Sequence, residues 1–431
     1  MEQLALLGGP QAVTLDYETV GNLPRVPEGA YASVEELMRK GEISFSPLVK
    51  KFEERFAAYV GAKYALAINN GTSSLHTALF AVGIQPGDEV LVPSYTFWAT
   101  VVPVVSAHGV PVFCDVDPET FCITPEEIEK RITPKTKAIM LVHVWGNPCD
   151  MDGILAVAKK HGLKVIEDCS HAHGATYHGK KVGTLGDVGC FSLQESKLLP
   201  AGEGGILVTN EEETYQRAVA LGQYDRIAKL PDDSPYKKYV LTGMGYKFRP
   251  HPLAIAIANA GLDELDEHNA IRNRGGKLLE DSLADLPFLT PQKVLPGCER
   301  EYAYQYVCYH PEKFGGVSTY TLLKALHAEG VRCGYCAYGR LHFAPLFMEG
   351  GAYGDCGARI KSDALPVTER LAVDTIMIAP RFEKECEELI RQYSEAYHKV
   401  AAHLDELVQY DREHEEDVRK DPNGSSVSLF R

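Results

Sequence analysis

The chain has 431 residues, of which 45% are hydrophobic and 24% are charged, and its formal net charge is −15. A chain of this length and composition can bury a large core in roughly two or three domains, and it lacks the composition of a disordered protein. Binding to nucleic acid or to an anionic membrane requires clustered Lys and Arg. The acidic balance, with no basic run, argues against both kinds of partner.

The eleven cysteines are scattered and odd in number, which does not indicate a disulfide framework. Cys333 and Cys336 form a CxxC without a second pair at zinc-finger spacing, so we interpret them as structural. The segment MEQLALLGGPQ lacks the basic and apolar regions of a secretory signal. No apolar run reaches the roughly 20 residues that a membrane span requires. These features predict a reduced, cytoplasmic protein without a membrane partner.

Short β-rich runs alternate with helical segments between about residues 60 and 210. Most of the runs are apolar throughout, as expected for strands that are buried on both faces of a parallel sheet. The predicted strands are Tyr64–Ile68, Glu89–Pro93, Pro111–Val116, Ala138–Val144, Lys164–Asp168, Cys190–Leu193 and Gly205–Thr209. Helices are predicted over Glu126–Ile132, which opens with a capping box at Thr124, and over Met151–His161. This alternation predicts an α/β fold with a mostly parallel sheet and helices on both faces.

The pattern of predicted strands and helices changes after about residue 250. The predicted elements there are the helices Leu253–Asn269, Thr319–Glu329 and Lys384–Leu407 and the strands Tyr302–His310 and Gly330–Tyr338. We therefore predict a large domain over residues 1–265 and a smaller C-terminal α/β domain over residues 266–410. From Asp411 onward the chain is polar with almost no apolar content, which predicts a mobile tail over residues 411–431.

The first candidate site segment follows the predicted strand YALAI. Ligands of open parallel sheets bind beyond the carboxyl ends of the strands. Gly71 permits a sharp turn there, and Thr72 or Ser73 can cap the helix that begins. The free N–H groups at a helix start can hold a phosphate. Taken alone, GTSS is too short to be specific, and a plain capped turn explains it at least as well.

The second candidate is Asp168, at the end of the strand KVIED. A buried acid requires a cationic partner or hydrogen bonds. Asp168 could ligate a metal together with His171 and His173, act as a general base, pair with a protonated ring nitrogen, or cap the following turn.

The third candidate is Lys197, which lies between the strand CFSL and the glycine-rich turn LPAGEGG. An ammonium is expensive to bury, but a lysine amine can form a Schiff base. A lysine that reaches to the surface fits less well, because apolar residues follow immediately.

One hypothesis joins the three segments: a phosphate seat, a carboxylate for a pyridinium nitrogen and a Schiff-base lysine are the groups expected of a pyridoxal-phosphate site. Phe97 and Trp98, in SYTFWAT after the strand EVLVP, supply a flat face for the ring.

Several ordered motifs resemble the DegT/DnrJ/EryC1/StrS aminotransferases. The segments that carry the resemblance are NNGTSSLHTAL, VPSYTFWAT, LVHVWGNPCDMD, VIEDCSHAHGATYHGKKVGTLGDVGCFSLQESK, AGEGGILVTN and LPVTER. The resemblance begins near residue 5 and extends to about residue 400. It implies a fold-type-I pyridoxal-phosphate transferase that forms a homodimer with active sites at the subunit interface.

The resemblance also implies roles for individual residues. Lys197 is expected to carry pyridoxal 5'-phosphate as a Schiff base and, once released, to move a proton. Asp168 is expected to keep the pyridine nitrogen protonated. The expected phosphate contacts are Gly71, Thr72, Ser73 and Ser192, and the ring is expected to stack on Phe97 rather than on Trp98.

Two positions depart from the family pattern. His171 stands where many members carry a Gln near the ring hydroxyl, and a histidine can still donate a hydrogen bond there. Lys247, in GYKFR, stands where many members carry an Asn that reaches the phosphate of the partner subunit. We keep both as site residues and favour a phosphate role for Lys247.

The acceptor implied by the resemblance is a keto sugar or a keto cyclitol, and the amino donor is glutamine or glutamate. The match around HAHGA and LPAGEGG favours a cyclitol or free-sugar acceptor with glutamine as donor. The predicted substrate contacts are Tyr338, His342 and Arg249.

Three rival functions are weighed against transamination. Family members that dehydrate sugars replace the Schiff-base lysine with histidine, so Lys197 favours transamination. A regulatory protein on this scaffold need not keep Lys197, Asp168 and the phosphate loop together. A metal hydrolase built on Asp168, His171 and His173 would leave Lys197 unexplained, and no metal is predicted.

Overall fold

The computed structural model describes residues 2–22, 26–336, 338–349 and 365–414. Its strands, in chain order, are β1 Tyr64–Ile68, β2 Glu89–Pro93, β3 Val110–Cys114, β4 Thr136–Val142, β5 Lys164–Asp168, β6 Thr176–Tyr177, β7 Lys180–Lys181, β8 Val188–Ser192, β9 Gly205–Thr209, β10 Leu289–Pro291, β11 Cys298–Glu299, β12 Gln305–Tyr309, β13 Gly334–Tyr335 and β14 Thr375–Ala379. Its helices are α1 Tyr17–Val20, α2 Glu28–Lys40, α3 Pro47–Val60, α4 Gly71–Val82, α5 Trp98–Ser106, α6 Pro125–Arg131, α7 Met151–His161, α8 Glu212–Gly222, α9 Pro252–Ser282, α10 Thr319–Ala328, α11 Pro345–Glu349, α12 Pro366–Asp374, α13 Glu387–Ala402 and α14 Leu404–Glu413.

The large sheet has seven strands in the order β1-β9-β8-β5-β4-β2-β3. β9 is antiparallel to both of its neighbours, and the other strands run in one direction. The predicted mostly parallel sheet is therefore confirmed. β1, β2, β5 and β9 have the predicted bounds, whereas β4 and β8 begin two residues early. They do so because Thr136 and Val188 pair with the neighbouring strand before the apolar run begins.

The sheet is buried on both faces, which explains why its strands are apolar without alternation. Successive residues of β1 enter different hydrophobic clusters: Ala65 packs on one face and Leu66 on the other. Val165 and Ile166 divide in the same way on β5. Helices cover both faces, as the α/β pattern predicted.

A smaller antiparallel sheet, in the order β10-β12-β14-β13, packs with α10 and α13 around a second hydrophobic core. α9 crosses the domain boundary predicted at residue 265, with Leu265 in the large core and Leu279 in the second. Leu4, Val13 and Tyr17 also pack in the second core. The N-terminal segment, which we expected to belong with the large domain, therefore contacts the smaller one.

Several predicted bounds in the C-terminal half are wrong. The strand predicted over Gly330–Tyr338 is reduced to β13, because Gly330, with φ of 89°, takes part in the turn that ends α10. The helix predicted over Lys384–Leu407 is interrupted at His403, where φ is −111° and ψ is 35°, and it resumes as α14.

The first residues of the tail predicted from Asp411 are helical in the structure. Asp411 lies in α14, and its carboxylate accepts hydrogen bonds from the hydroxyl groups of Ser318 and Thr321. The rest of the predicted tail, residues 415–431, lies outside the described residues.

In the part of the chain that the structure describes, no helix combines the length and apolar character needed to cross a membrane. The cysteines described there are free thiols, and Cys333 and Cys336 are among them. Both belong to the packing around β13: Cys333 is buried, and Cys336 Sγ lies 3.4 Å from the hydroxyl of Tyr95.

Candidate active site

The carboxyl ends of β1, β2, β4, β5 and β8 lie at one edge of the large sheet, because these strands run in the same direction. The loops that follow them carry most of the predicted site residues. β5 and β8 are neighbours, and Asp168 lies opposite Cys190, two residues before Ser192. This register places the second and third candidate segments side by side.

The start of α4 forms a close-fitting turn against β8. Asn70 caps the helix, with its Oδ1 accepting from Ser73 N–H at 2.7 Å. A Cβ atom on Gly71 would lie 2.8 Å from the Cβ of Ser192, so the two segments approach this closely only because residue 71 is a glycine. Gly71, Thr72, Ser73 and Ser192 are thus brought together at a helix N-terminus, which suits an anion.

Asn69 adds a polar atom to the same place. Its backbone N–H donates to Phe248 O at 3.0 Å, while its side-chain Oδ1 is buried and receives no hydrogen bond from the described residues. A buried acceptor without a donor is uncommon in a folded protein. Because this atom is an acceptor, it requires a hydrogen-bond donor, and an ionised phosphate oxygen cannot satisfy it.

Asp168 is held at the end of β5 and is 4% exposed. Its Oδ1 accepts from Ser170 N–H at 3.0 Å, and its Oδ2 accepts from Thr100 Oγ1 at 2.8 Å. Each carboxylate oxygen can accept a second bond, so one further donor, such as a protonated ring nitrogen, can be accommodated. If Asp168 only capped the turn, its contact with Ser170 would be explained, but its contact with Thr100 would not.

His171 lies beside Asp168 as a neutral imidazole. Burial, together with the nearby Lys197 charge, holds the pKa of His171 well below its usual range. Trp145 donates its backbone N–H to His171 Nδ1 at 3.3 Å, so the ring proton belongs on Nε2. The hydroxyl of Tyr338 lies 3.3 Å from Nε2 and 3.4 Å from Nδ1. The predicted donor group is therefore present, and Tyr338 is brought into the same cluster.

An aromatic layer supports His171. Trp145 has a left-handed backbone with φ of 53°, and its ring stacks on Tyr306 at 4.1 Å and on Tyr338 at 5.5 Å. Tyr304 meets the ring of His171 edge-on at 5.3 Å. Non-glycine residues with positive φ are uncommon and cluster at functional sites. Tyr338 was predicted as a substrate contact, whereas Trp145, Tyr304 and Tyr306 were not among the predicted site residues, although Trp145 lies in the motif LVHVWGNPCDMD.

Lys197 lies in a turn after β8, with its backbone N–H donating to Gln194 O at 2.9 Å. The side chain is half-buried, and among the described residues it forms no salt bridge. Its charge acts on the loop after β5: burial, with Lys197 as the next cause, lowers the pKa of His173 to about 3. Lys197 is therefore close to the Asp168 loop.

Phe97 and Trp98 lie at the start of α5, with their ring centroids 5.1 Å apart. They are 40% and 46% exposed, an unusual state for two adjacent aromatic side chains. Thr100, in the first turn of the same helix, contacts Asp168 directly. The start of α5 therefore borders the site, and stacking of Phe97 on a cofactor ring stays a prediction.

The segment GYKFR passes the end of β1 through the contact between Phe248 and Asn69. Lys247 is exposed. Arg249 instead packs over the rings of Phe45 and Tyr224, at 4.2 Å and 5.5 Å. Its Nη1 lies 3.7 Å from Asp225 Oδ1. In the single chain these contacts hold Arg249 in a cavity that Asp168 and Lys197 do not line, and its substrate role stays a prediction.

His342 is buried at 1% exposure near the end of β2. Its Nδ1 lies 2.7 Å from Ser94 Oγ, and its Nε2 lies 3.7 Å from Glu369 Oε1. Burial lowers the pKa of His342. These contacts give His342 a packing role between β2 and α12, and a substrate role stays a prediction.

The metal alternative does not fit the geometry. Among the described residues, the cluster of metal-type ligands consists of His143, Glu167 and Cys169 rather than Asp168, His171 and His173. Glu167 is already satisfied: it lies 3.0 Å from His143 Nε2 and accepts backbone N–H bonds from Gly183, Leu185 and Gly186. This cluster holds the loop between β5 and β8, and it has the character of a structural network.

The fold and site together define a fold-type-I pyridoxal-phosphate-dependent aminotransferase: a mostly parallel seven-stranded sheet with a lysine, a buried aspartate and a glycine-led helix at one edge. A family model of the DegT/DnrJ/EryC1/StrS aminotransferases matches residues 26–392. The chain belongs to this family.

Proteins similar in sequence to this chain are also named as aminotransferases. A putative L-glutamine:3-amino-2,3-dideoxy-scyllo-inosose aminotransferase from Streptoalloteichus tenebrarius is 36% identical over 86% of this chain and 91% of that protein. An L-glutamine:2-deoxy-scyllo-inosose aminotransferase from the same organism is 37% identical over 81% of this chain and 86% of that protein.

Solved structures are similar as well. The aminotransferase from Psychrobacter cryohalolentis has a TM-score of 0.81 at 29% identity, covering 89% of this chain and 99% of that one. DesI, solved in the presence of its TDP-sugar product, has a TM-score of 0.78 at 30% identity, covering 95% and 99%. The predicted fold class is confirmed.

Proposed function

We propose that this aminotransferase moves an amino group from glutamine to a keto cyclitol, using pyridoxal 5'-phosphate held by Lys197. The observation that carries the proposal is the convergence of Lys197, Asp168 and the N-terminus of α4 at one sheet edge. The scyllo-inosose aminotransferases to which the chain is 36% and 37% identical support both the donor and the acceptor class.

The residues present fit this cofactor. The α4 start and Ser192 suit a phosphate, and Asp168 suits a pyridinium nitrogen. His171 would direct its Nε2–H toward the ring hydroxyl. Bound pyridoxal phosphate supplies an electron sink for the carbon that loses a proton.

Lys197 and Asp168 are the protein groups that would act on the bound cofactor and substrate. Lys197 would anchor the cofactor and then move the proton at the substrate carbon with its Nζ. Asp168 would keep the ring nitrogen protonated, as its buried, doubly hydrogen-bonded carboxylate is suited to do. Lys197 also favours transamination over dehydration.

We further propose a homodimer with shared sites. Two exposed features support this proposal. A partner chain would cover the exposed rings of Phe97 and Trp98. The exposed Lys247 would reach the phosphate bound by the partner. Mixing a Lys197→Ala subunit with a Lys247→Ala subunit is then expected to recover activity that neither variant has alone. No recovery in verified mixed dimers would contradict the shared site.

The first experiment is the visible absorption spectrum of the purified protein, before and after adding glutamine or glutamate, beside Lys197→Ala. We expect the wild type to show the absorption band of a lysine-bound cofactor, and we expect this band to change when glutamine is added. Lys197→Ala is expected to lack the band of the lysine-bound cofactor. Reconstitution with pyridoxal phosphate that yields no band would overturn the assignment of Lys197.

The acceptor is tested next, with keto-inositols beside nucleotide-linked keto sugars. The second group is included because DesI was solved with a TDP-sugar product. Faster amination of keto-inositols is expected. The cyclitol proposal fails if the nucleotide-linked sugars react far faster.

A further inference from the structure

Thr100 contacts the carboxylate on which the proposed function depends. Its Oγ1 lies 2.8 Å from Asp168 Oδ2, and Thr100 and Asp168 are only 2% and 4% exposed. The other carboxylate oxygen is held by Ser170 N–H at 3.0 Å. Asp168 is therefore fixed by this chain alone, from two sides, before any ligand is considered.

The direction of these bonds follows from the chemistry of the groups. An ionised carboxylate only accepts hydrogen bonds, so the Thr100 hydroxyl donates to Asp168. Thr96 Oγ1 lies 2.9 Å from Thr100 Oγ1, and it is likewise 2% exposed. Because the Thr100 proton is already used, Thr96 donates to Thr100. Hydrogen bonds arranged in series polarise and strengthen one another.

We propose that Thr100 is a positioning residue, which keeps Asp168 ionised and directed at the ring nitrogen of bound pyridoxal phosphate, and that Thr96 reinforces it. The inference rests on the proposed function, since it assigns the ring nitrogen to Asp168. A hydrogen bond to the charged form favours that form. Loss of the Thr100 hydroxyl would therefore shift the shared proton from the ring nitrogen toward Asp168.

The test is Thr100→Val, which removes the hydroxyl and keeps the shape. In enzyme loaded with ¹⁵N-labelled pyridoxal phosphate, we expect the ring-nitrogen NMR signal to move toward that of unprotonated pyridine. The acid limb of the pH–rate profile is expected to move to higher pH, because the Asp168 carboxylate is protonated more readily. A lost hydrogen bond to a charged group corresponds to a roughly 10- to 100-fold fall in kcat/KM. Thr100→Ser is expected to restore the nitrogen signal and the profile.

Thr209→Val is the matched control. Thr209 is also buried, at 3% exposure, and its Oγ1 donates to a backbone oxygen, Asp187 O, at 2.8 Å. It pairs with Tyr64 at the opposite edge of the sheet. We expect its ring-nitrogen signal to match that of the wild type.

Thr96→Val extends the test should Thr100→Val fail to fold, because it leaves the Asp168 contact in place. It is expected to shift the nitrogen signal in the same direction by a smaller amount. An unchanged signal in the folded, loaded variants would overturn the inference even if activity fell, and so would equal shifts in the valine and serine variants. If the wild type binds no cofactor, the proposed function itself fails and this inference falls with it.

Discussion

Trp145 donates its backbone N–H to Nδ1 of His171 at 3.3 Å, and this bond leaves the imidazole proton on Nε2. The side chain is thus a donor of fixed direction, as the side-chain amide of a glutamine at this position would be. His171→Gln is therefore expected to retain most activity. His171→Leu, which has no donor, is expected to lower kcat roughly 10- to 100-fold.

The pH dependence separates this role from general acid–base catalysis by His171. Because burial holds the pKa of His171 well below its usual range, the ring stays neutral across about pH 6 to 8. The pH–rate profiles of wild type and His171→Gln are expected to have the same shape in that range. A limb that disappears in His171→Gln would contradict the donor role.

Gly71 and Ser192 test the phosphate seat. Gly71→Ala would bring a Cβ within 2.8 Å of the Ser192 Cβ, and overpacking of this kind costs about 1–3 kcal/mol of stability. In the double variant Gly71→Ala/Ser192→Gly, we expect part of the stability to return. Cofactor affinity is expected to stay low, because the Ser192 hydroxyl is gone.

Chemical denaturation of the apoenzyme and titration with pyridoxal phosphate measure the two effects separately. Recovery of affinity along with stability in the double variant would show that Ser192 does not contact the phosphate.

Phe97 and Trp98 form a natural pair of variant and control. Both are exposed in the single chain, so truncating either one is expected to change the stability of the individual subunit by less than about 1 kcal/mol. Phe97→Ala is expected to raise the dissociation constant of the cofactor roughly tenfold, because it removes the stacking face. Trp98→Ala should have a smaller effect. If Trp98→Ala raised the dissociation constant more than Phe97→Ala does, Trp98 rather than Phe97 would be the stacking residue.

Glu301 links stability to pH. Burial raises its pKa from an ordinary 4.5 to about 7. The folded state therefore binds this proton more tightly than the unfolded state does, so the contribution to stability is greatest below pH 4.5 and is lost as the pH rises to about 7. At pH 8, Glu301→Gln is expected to be more stable than the wild type by about 3 kcal/mol. At pH 4, the difference should vanish.

Denaturant titrations at the two pH values check this prediction. Glutamine keeps an acceptor for Asn273 Nδ2, which lies 2.9 Å from the Glu301 carboxylate. Glu299→Gln, at an exposed neighbouring position, controls for the loss of one negative charge. A stabilisation of Glu301→Gln that is equal at both pH values would contradict the linkage.

The sequence was sufficient for the elements whose cause is local. β1, β2, β5 and β9 are apolar runs bounded by turns, and they were predicted to the residue. The juxtaposition of Asp168 with the β8 segment also followed, since parallel neighbours end at one edge.

What the sequence did not reveal depends on distant contacts. Thr100 reaches Asp168 across 68 residues, and Tyr338 reaches His171 across 167. No local pattern marks Thr100 as a carboxylate partner, because it looks like any threonine in the first turn of a helix. The break at His403 was missed for a related reason: the helical pattern continues through it, and the hydrogen bonds of Asp411 to α10 and its cap fix the new direction.

α9 has a mechanical consequence for the whole enzyme. It is 31 residues long, which corresponds to a rod of about 46 Å. Because Leu265 anchors it in one core and Leu279 in the other, neither core can lose its structure without removing packing from the same rod. Two hydrophobic cores would ordinarily be expected to melt one after the other. Here heat is expected to unfold both together, as a single calorimetric transition.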